Sequence, residues 1–378
     1  MGNRGSRVGF FLFYDIQESE HMLTMQGALS GGKVVVEGSE VDILAKGYGR
    51  KKGQVELSLE EAAFLLETDK ITITDEEEKE MPHAEFLKHA LDISPRFELR
   101  YLVYRDLKER GYVVQPGRVE FWLYPRGAVP GEKPARYVIR IVSEREFISF
   151  KDLDALLTSA RNMRKEPIIA VVDEESDITY YELKEAQFEK REEQKEGWRI
   201  GKATLLGDRA VLWDADLAES LYRNNFYGTL TKEKRLLLSM VETAYLMKKG
   251  LLELNEWQPP ANVDQLIDYA TAVESEFRDK YEVYAALREK GLILKTGFKF
   301  GSHFRVYEAL NKRHSAYLIH VLFEEHVFSM SELSRAVRLA HGVKKRMIFA
   351  VKQRAREKQQ HALDKQRIRY VDIGRMKL

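Results

Sequence analysis

Between residues 274 and 290 the large apolar side chains fall at Phe277, Tyr281, Tyr284 and Leu287. Intervals of three and four line one face of a helix, and Gly291 stands where such a helix ends. The period then changes: residues 292–295, 304–307 and 317–323 alternate and read as strands. A second helix begins near Ser331, with Ser329 or Ser331 as its cap, buries Leu333, Val337 and Ala340, and runs into a strand at 346–352. Two stretches rich in Leu and Ala, 59–66 and 235–249, also read as helical. The order predicts a mixed sheet with helices packed on it, an α/β (α+β) class of fold.

The pattern occurs twice, which changes the whole reading. Tyr101, Tyr104, Leu107, Gly111 and Gly117 recur 180 residues later as Tyr281, Tyr284, Leu287, Gly291 and Gly297. The same offset relates 137–141 to 317–321, and Arg164-Lys165 to Lys344-Lys345. Between these blocks, 121–124 matches 304–307 at an offset of 183, so the first copy has a loop three residues longer, and insertions belong in loops. Each copy opens with a weaker echo, 32–38 against 201–207, followed by one of the Leu/Ala-rich stretches. Residues 185–197 are charged and almost devoid of large apolar side chains, as an exposed linker is. The layout is a tandem duplication in which each half is a small α+β subdomain followed by a larger α/β domain. The expected spans are 1–90, 91–185, a linker at 186–199, 200–270 and 271–378.

Composition narrows the class. With 44% hydrophobic and 32% charged residues the chain is that of a soluble globular protein. No run approaches the roughly 20 apolar residues of a membrane span. Arg4 and Arg7 precede a short apolar patch at 8–13, as in a signal peptide, but Tyr14 and Asp15 cut it short and no small-residue cleavage site follows. An opening strand is expected instead. The absence of cysteine excludes disulfides and thiolate chemistry, restricts a metal site to His and carboxylates, and makes the cytoplasm the default location. Net charge is only +1, yet residues 335–378 hold 14 Lys and Arg against Glu357, Asp364 and Asp372. That basic block is interleaved with strand-like segments at 347–351 and 368–371, which fits a folded polyanion-binding face as well as a loose tail.

Three blocks of the second copy carry candidate chemistry: Gly297 to Tyr307, then His314-Ser315-Ala316-Tyr317-Leu318, then Arg338 to Lys345. They resemble the C-terminal catalytic domain of tRNA-splicing endonucleases, with a Tyr ending the strand after a KxG-type turn, a His opening an HSxYL-like string, and a Lys about 31 residues beyond it. The resemblance covers nearly the whole chain, because the tandem arrangement looks like the homodimeric archaeal form with two related nuclease-like units per subunit. It implies an enzyme acting on precursor tRNA at bulge–helix–bulge motifs, with Tyr307 as base, His314 as acid and Lys345 as charge stabiliser. RNA is cut without metal or other cofactor when its own 2′-OH attacks the adjacent phosphorus. That route needs a base at the 2′-OH, an acid at the departing 5′-oxygen and a positive charge on the phosphorane. The products implied are a 2′,3′-cyclic phosphate and a 5′-hydroxyl. Tyrosine, with a free pKa of about 10, is an awkward base and needs a neighbouring cation.

Each residue type has a bland reading: a strand-end Tyr packs, a lone His is satisfied or solvated, and Lys345 lies in a Lys-Lys-Arg run where Lys344 is a rival. The joint pattern favours catalysis. His303, His320, His326 and His341 lack that support and are read as structural or surface residues. In the first copy Tyr124 and Lys165 persist, but Pro134 replaces His314, and no histidine lies between His89 and His303. That copy is expected to be non-cleaving.

The resemblance extends to RNA and subunit contacts. Arg338, seven residues before Lys345, and Arg375 match the two arginines with which the family clamps an extruded base; stacking and phosphate pairing both suit a guanidinium. The acidic turn Asp173, Glu174, Glu175, Ser176, Asp177 between strands at 168–172 and 178–183 is a normal hairpin turn by composition. In the family the equivalent loop enters a basic groove of the catalytic unit across the dimer. The second copy has a longer basic stretch at 352–367 in its place, a departure from the family's short turn. A non-catalytic RNA-binding or scaffold protein on a duplicated nuclease-like fold is the alternative, and the intact second-copy blocks speak against it. A magnesium-dependent nuclease needs carboxylates on adjacent strands, and 304–307 and 317–323 carry none.

Overall fold

The computed structural model describes residues 25–37, 40–191, 199–255, 260–310, 314–353 and 367–378. The expected opening strand, residues 192–198 of the linker and residues 354–366 of the basic stretch lie outside these. The chain divides into one compact unit ending at Phe97 and another from Glu98 onward. Among the described residues no helix is long and apolar enough to cross a membrane.

The first unit holds a five-stranded sheet ordered Arg50–Lys52, Gln54–Leu57, Lys33–Glu37, Met25–Ser30, Ile71–Thr74. The second unit contains the same sheet in the same order: Thr229–Leu230, Leu236–Ser239, Arg209–Leu212, Gly201–Leu206, Leu252–Leu254. The weak sequence echo is thus a full structural repeat. One expectation fails here. The stretch at 235–249 is not helical throughout, because Leu236–Ser239 is a strand with Leu236 and Leu238 buried. The helix starts only at Met240, where Ser239 accepts from the Glu242 N–H and the Glu242 carboxylate accepts from the Ser239 N–H. Leucine content alone does not distinguish the two periods over so short a run.

The larger domains do not stay apart. Their strands form one ten-stranded sheet: Ile293–Thr296, Phe304–Tyr307, Tyr317–Leu322, Arg346–Gln353, Arg367–Met376, Ile178–Glu185, Glu166–Val172, Tyr137–Ser143, Phe121–Leu123, Val114–Pro116. At the centre Ile178–Glu185 pairs antiparallel with Arg367–Met376, from Tyr180↔Met376 to Glu185↔Val371. Each copy thereby covers an edge that would otherwise present unpaired N–H and C=O groups. A second junction pairs Phe147–Ser149 with Val327–Ser329, where Ile148 faces Phe328 at the 180 offset, so the strands of the two larger domains are related by a local two-fold axis. In the central ladder Leu183 faces Ile373, an offset of 190, so the second copy's hairpin is ten residues longer. One core draws on both copies, with Phe150, Leu153 and Leu157 from the first and Leu333, Val337, Phe349 and Ile373 from the second. Each such side chain contributes about 2 kcal/mol of burial. Arg346 ties the copies together, reaching Glu182 at 2.9 Å and Asp372 at 2.5 Å. Burial pushes the Asp372 carboxyl above its ordinary range, against the pull of Arg346.

The linker is shorter than its composition suggests. Phe188 is buried, and its ring meets Tyr317 and Tyr370 edge-on at 5.7 and 5.1 Å. Arg191 bonds to the Glu308 carbonyl, and Lys290 Nζ donates to the Phe188 carbonyl at 2.8 Å. One aromatic residue in a charged run is enough to anchor it, a feature that average composition hides.

Candidate active site

Topology brings the three second-copy blocks to one end of the sheet. Phe304–Tyr307 runs antiparallel to Tyr317–Leu322, which runs parallel to Arg346–Gln353. The end of the first strand therefore adjoins the starts of the other two: Tyr307 closes its strand, His314 precedes the next, and Lys345 precedes the third. Alternation sets the face as well. Arg305 pairs with Leu318 and Leu318 with Met347, so Tyr307 and Lys345 lie on the face covered by helix Met330–Gly342.

Local chemistry aims the lysine. Helix Met330–Gly342 is capped by Ser329, which accepts from Glu332 N–H, rather than by Ser331. Beyond its C-cap, Val343, the exposed Lys344 takes a left-handed φ of 57° and turns the chain into the next strand. Lys345 is then half-buried, and its Nζ donates to the Ser315 carbonyl at 3.0 Å. His314, the residue before Ser315, is exposed. The Lys345 ammonium lies 6.0 Å from the Phe300 ring centroid. Phe300 belongs to the short turn Phe298–Phe300, where the second copy is locally three residues longer than the first. An ammonium carries three N–H donors; the Ser315 carbonyl takes one and leaves capacity for an anionic ligand.

The first copy repeats this frame with different contents. Arg164 has a φ of 54°, and Lys165 Nζ donates to the Ala135 carbonyl at 2.8 Å. Both bonds run from lysine to the carbonyl 30 residues earlier, so structure and sequence agree that Pro134 stands where His314 does. Tyr124 is buried and donates to Gln115 Oε1 at 3.1 Å.

The surroundings of Tyr307 were not anticipated from sequence. It is buried to 9% exposure, with Phe226 edge-on at 5.9 Å and the Arg305 guanidinium 5.8 Å from its ring centroid. Arg305 supplies a cation beside the phenol. Lys295 lies 4.8 Å from the Phe226 centroid; burial pushes its ammonium below the ordinary range while Glu242 opposes the shift. His303, read as structural, accepts from the Val321 N–H through Nδ1 at 2.8 Å and stacks on His320 at 4.3 Å. Burial, with His320 and Lys280 beside it, pushes its pKa down to about 3. Among the described residues no group of three or more His, Asp or Glu side chains is placed to hold a metal ion.

Both candidate arginines are exposed and flank Tyr181. Arg375 faces Tyr181 across the central ladder, and the Tyr181 hydroxyl bonds to Ser334, one helical turn before Arg338, at 3.0 Å. Arg338 and Arg335 line a groove of about 610 Å³ with Asp173 of the same chain. In the acidic turn Asp173 Oδ1 accepts from the N–H groups of Glu175 and Asp177, and Glu174 pairs with Arg145 at 3.1 Å. Glu175 and Asp177 are exposed. Lys352, at the start of the basic stretch, is taken up by Glu282 at 2.7 Å.

Comparison with known proteins bears on the same residues. The family model for the tRNA intron endonuclease catalytic C-terminal domain matches residues 97–180 and again 277–360. The model for the N-terminal domain of that endonuclease matches 25–87 and 201–267. A tRNA-splicing endonuclease of Methanococcoides burtonii is 42% identical over 340 residues, 88% of this chain and 93% of that one. The protein of the same name from Methanosarcina barkeri is 42% identical over 364 residues, 94% of this chain and 100% of its own length. That of Halobacterium salinarum is 34% identical, covering 86% of this chain and 94% of its own. With both domain models matched in each half and relatives this similar over most of its length, the chain belongs to the tRNA intron endonuclease family.

Proposed function

We propose that this endonuclease excises introns from precursor tRNA at bulge–helix–bulge junctions, without a metal, by attack of the RNA's own 2′-OH. The observation that carries the reading is the convergence of Tyr307, His314 and Lys345 at one sheet end, with Lys345 anchored beside His314 through the Ser315 carbonyl. Tyr307 takes the 2′-OH proton, aided by the Arg305 cation beside its ring. Lys345 directs its remaining N–H donors to the phosphorane, and the exposed His314 protonates the leaving 5′-oxygen. A 2′,3′-cyclic phosphate and a 5′-hydroxyl result. Arg338, Arg375 and Lys344 contact the RNA, the two arginines holding an extruded base. Two chains form a homodimer in which the acidic turn of one first copy enters a groove of about 590 Å³ in the partner's second copy, lined by Arg209, Lys280, Lys295 and Arg305 together with Asp208, Glu242 and Glu274.

The test is incubation of the purified chain with an intron-containing precursor tRNA in excess EDTA. Release of the intron and both exons at an undiminished rate is expected. Cleavage that stops in EDTA and returns with magnesium contradicts the metal-free route.

A further inference from the structure

Phe226 ends helix Ala215–Asn225 in the left-handed region, φ 59° and ψ 33°. A side chain is penalised there by its own Cβ, and glycine is not. The duplicated fold shows what this position ordinarily holds. In the first copy the equivalent residue is Gly47, φ 78°. Three features fix the equivalence. The next residue is a buried tyrosine in both, Tyr48 and Tyr227. A positive-φ glycine follows, Gly49 and Gly228. The N–H of that glycine donates at 2.9 Å to a capping glutamate, Glu61 and Glu242. Only the copy with all three catalytic blocks puts a large side chain at this strained position.

The ring's contacts suggest why. Phe226 meets Tyr307 edge-on at 5.9 Å and 86°, and the Lys295 ammonium lies 4.8 Å from its centroid. Lys295 is itself held by the Gly228 carbonyl and by Glu242 at 3.6 Å. Its first-copy counterpart, Gln115, instead accepts the Tyr124 hydroxyl. The first-copy tyrosine thus has its hydroxyl bonded while its ring packs with Ala128 and Ala135; in the second copy Phe226 and Arg305 meet the ring. Among the described residues the Tyr307 hydroxyl has no hydrogen-bond partner, so ring contacts are what orient it.

We propose that Phe226 is a positioning residue for the cleavage reaction, retained in a strained backbone because its ring fixes the Tyr307 phenol toward the RNA 2′-OH. The proposal rests on the role given to Tyr307 above. Phe226→Gly relieves the backbone strain and removes the ring, which loosens Tyr307 and also ends the contacts of Lys295 and Tyr222 with it, so the Tyr307→Phe background below separates the effect that runs through Tyr307 from the others. Single-turnover cleavage of bound precursor tRNA should fall about tenfold to a hundredfold, the effect of misplacing a reacting group by about 1 Å. RNA affinity should be unchanged, and Phe226→Tyr, which keeps an aromatic ring, should recover most of the rate. On a Tyr307→Phe background the glycine substitution should add no further loss, because residues acting through one group are not additive. A wild-type rate for Phe226→Gly, or an equal loss on both backgrounds, overturns the proposal. If Tyr307→Phe alone cleaves at the normal rate, the role of Tyr307 fails first, and the two failures are told apart.

Discussion

Replacing His314 by alanine lowers the single-turnover rate of precursor-tRNA cleavage by roughly two to four orders of magnitude, the usual contribution of a general acid. RNA affinity should change little, because His314 is a single exposed side chain, whereas residues 335–378 carry 14 Lys and Arg available to an RNA backbone. The fold should not change either, since the Lys345 bond that organises this corner goes to the Ser315 backbone. The duplicated fold supplies matched controls: Tyr124→Phe and Lys165→Ala alter residues in the same frame, where Pro134 stands in place of His314. Those variants should leave the chemical step unaltered in a protein that stays folded. A near-normal rate for His314→Ala removes it from the mechanism. A large loss for the first-copy variants overturns the view that only one copy cleaves.

Reversing the charge of the acidic turn should weaken self-association about tenfold to a hundredfold and lower cleavage, although no catalytic residue is altered. Asp173 is best kept, because its Oδ1 holds the turn through two N–H bonds. The informative variant is Glu174→Lys/Glu175→Lys/Asp177→Lys. In an isologous dimer every such contact occurs twice, so the effect exceeds that of one exposed ion pair, and it should diminish at high salt. Acidic substitution of Arg209 and Lys280 in the groove proposed to receive the turn should restore part of the association. Sedimentation of both proteins beside their cleavage rates decides the matter. A charge-reversed protein that stays dimeric and fully active leaves the segment as an ordinary turn.

Much of this site is legible in the chain because duplication supplies its own alignment. The 180 offset placed Lys165 opposite Lys345, and both side chains make the same bond to a backbone carbonyl. Strand and helix periods located Phe304–Tyr307 and Met330–Gly342 because their buried positions repeat regularly. What stayed hidden is non-local. The pairing of Ile178–Glu185 with Arg367–Met376 joins two distant edges, and no local pattern announces which edge meets which. Phe188 escaped notice because a single anchor does not change the composition of a charged run. The contrast between Gly47 and Phe226 was present in the sequence but needed the tertiary alignment of Tyr48 with Tyr227 before it could be seen.

The most direct test of the central claim changes the substrate rather than the protein. A precursor tRNA is assembled with a single 2′-deoxynucleotide immediately 5′ of one scissile phosphate, leaving the other junction as ribose. If the RNA's own 2′-OH is the nucleophile, the modified junction stays intact in EDTA. The unmodified junction is then cut to a 2′,3′-cyclic phosphate and a 5′-hydroxyl. Cleavage at the deoxy junction at a comparable rate would mean that water or a protein group attacks the phosphorus, and would contradict the mechanism.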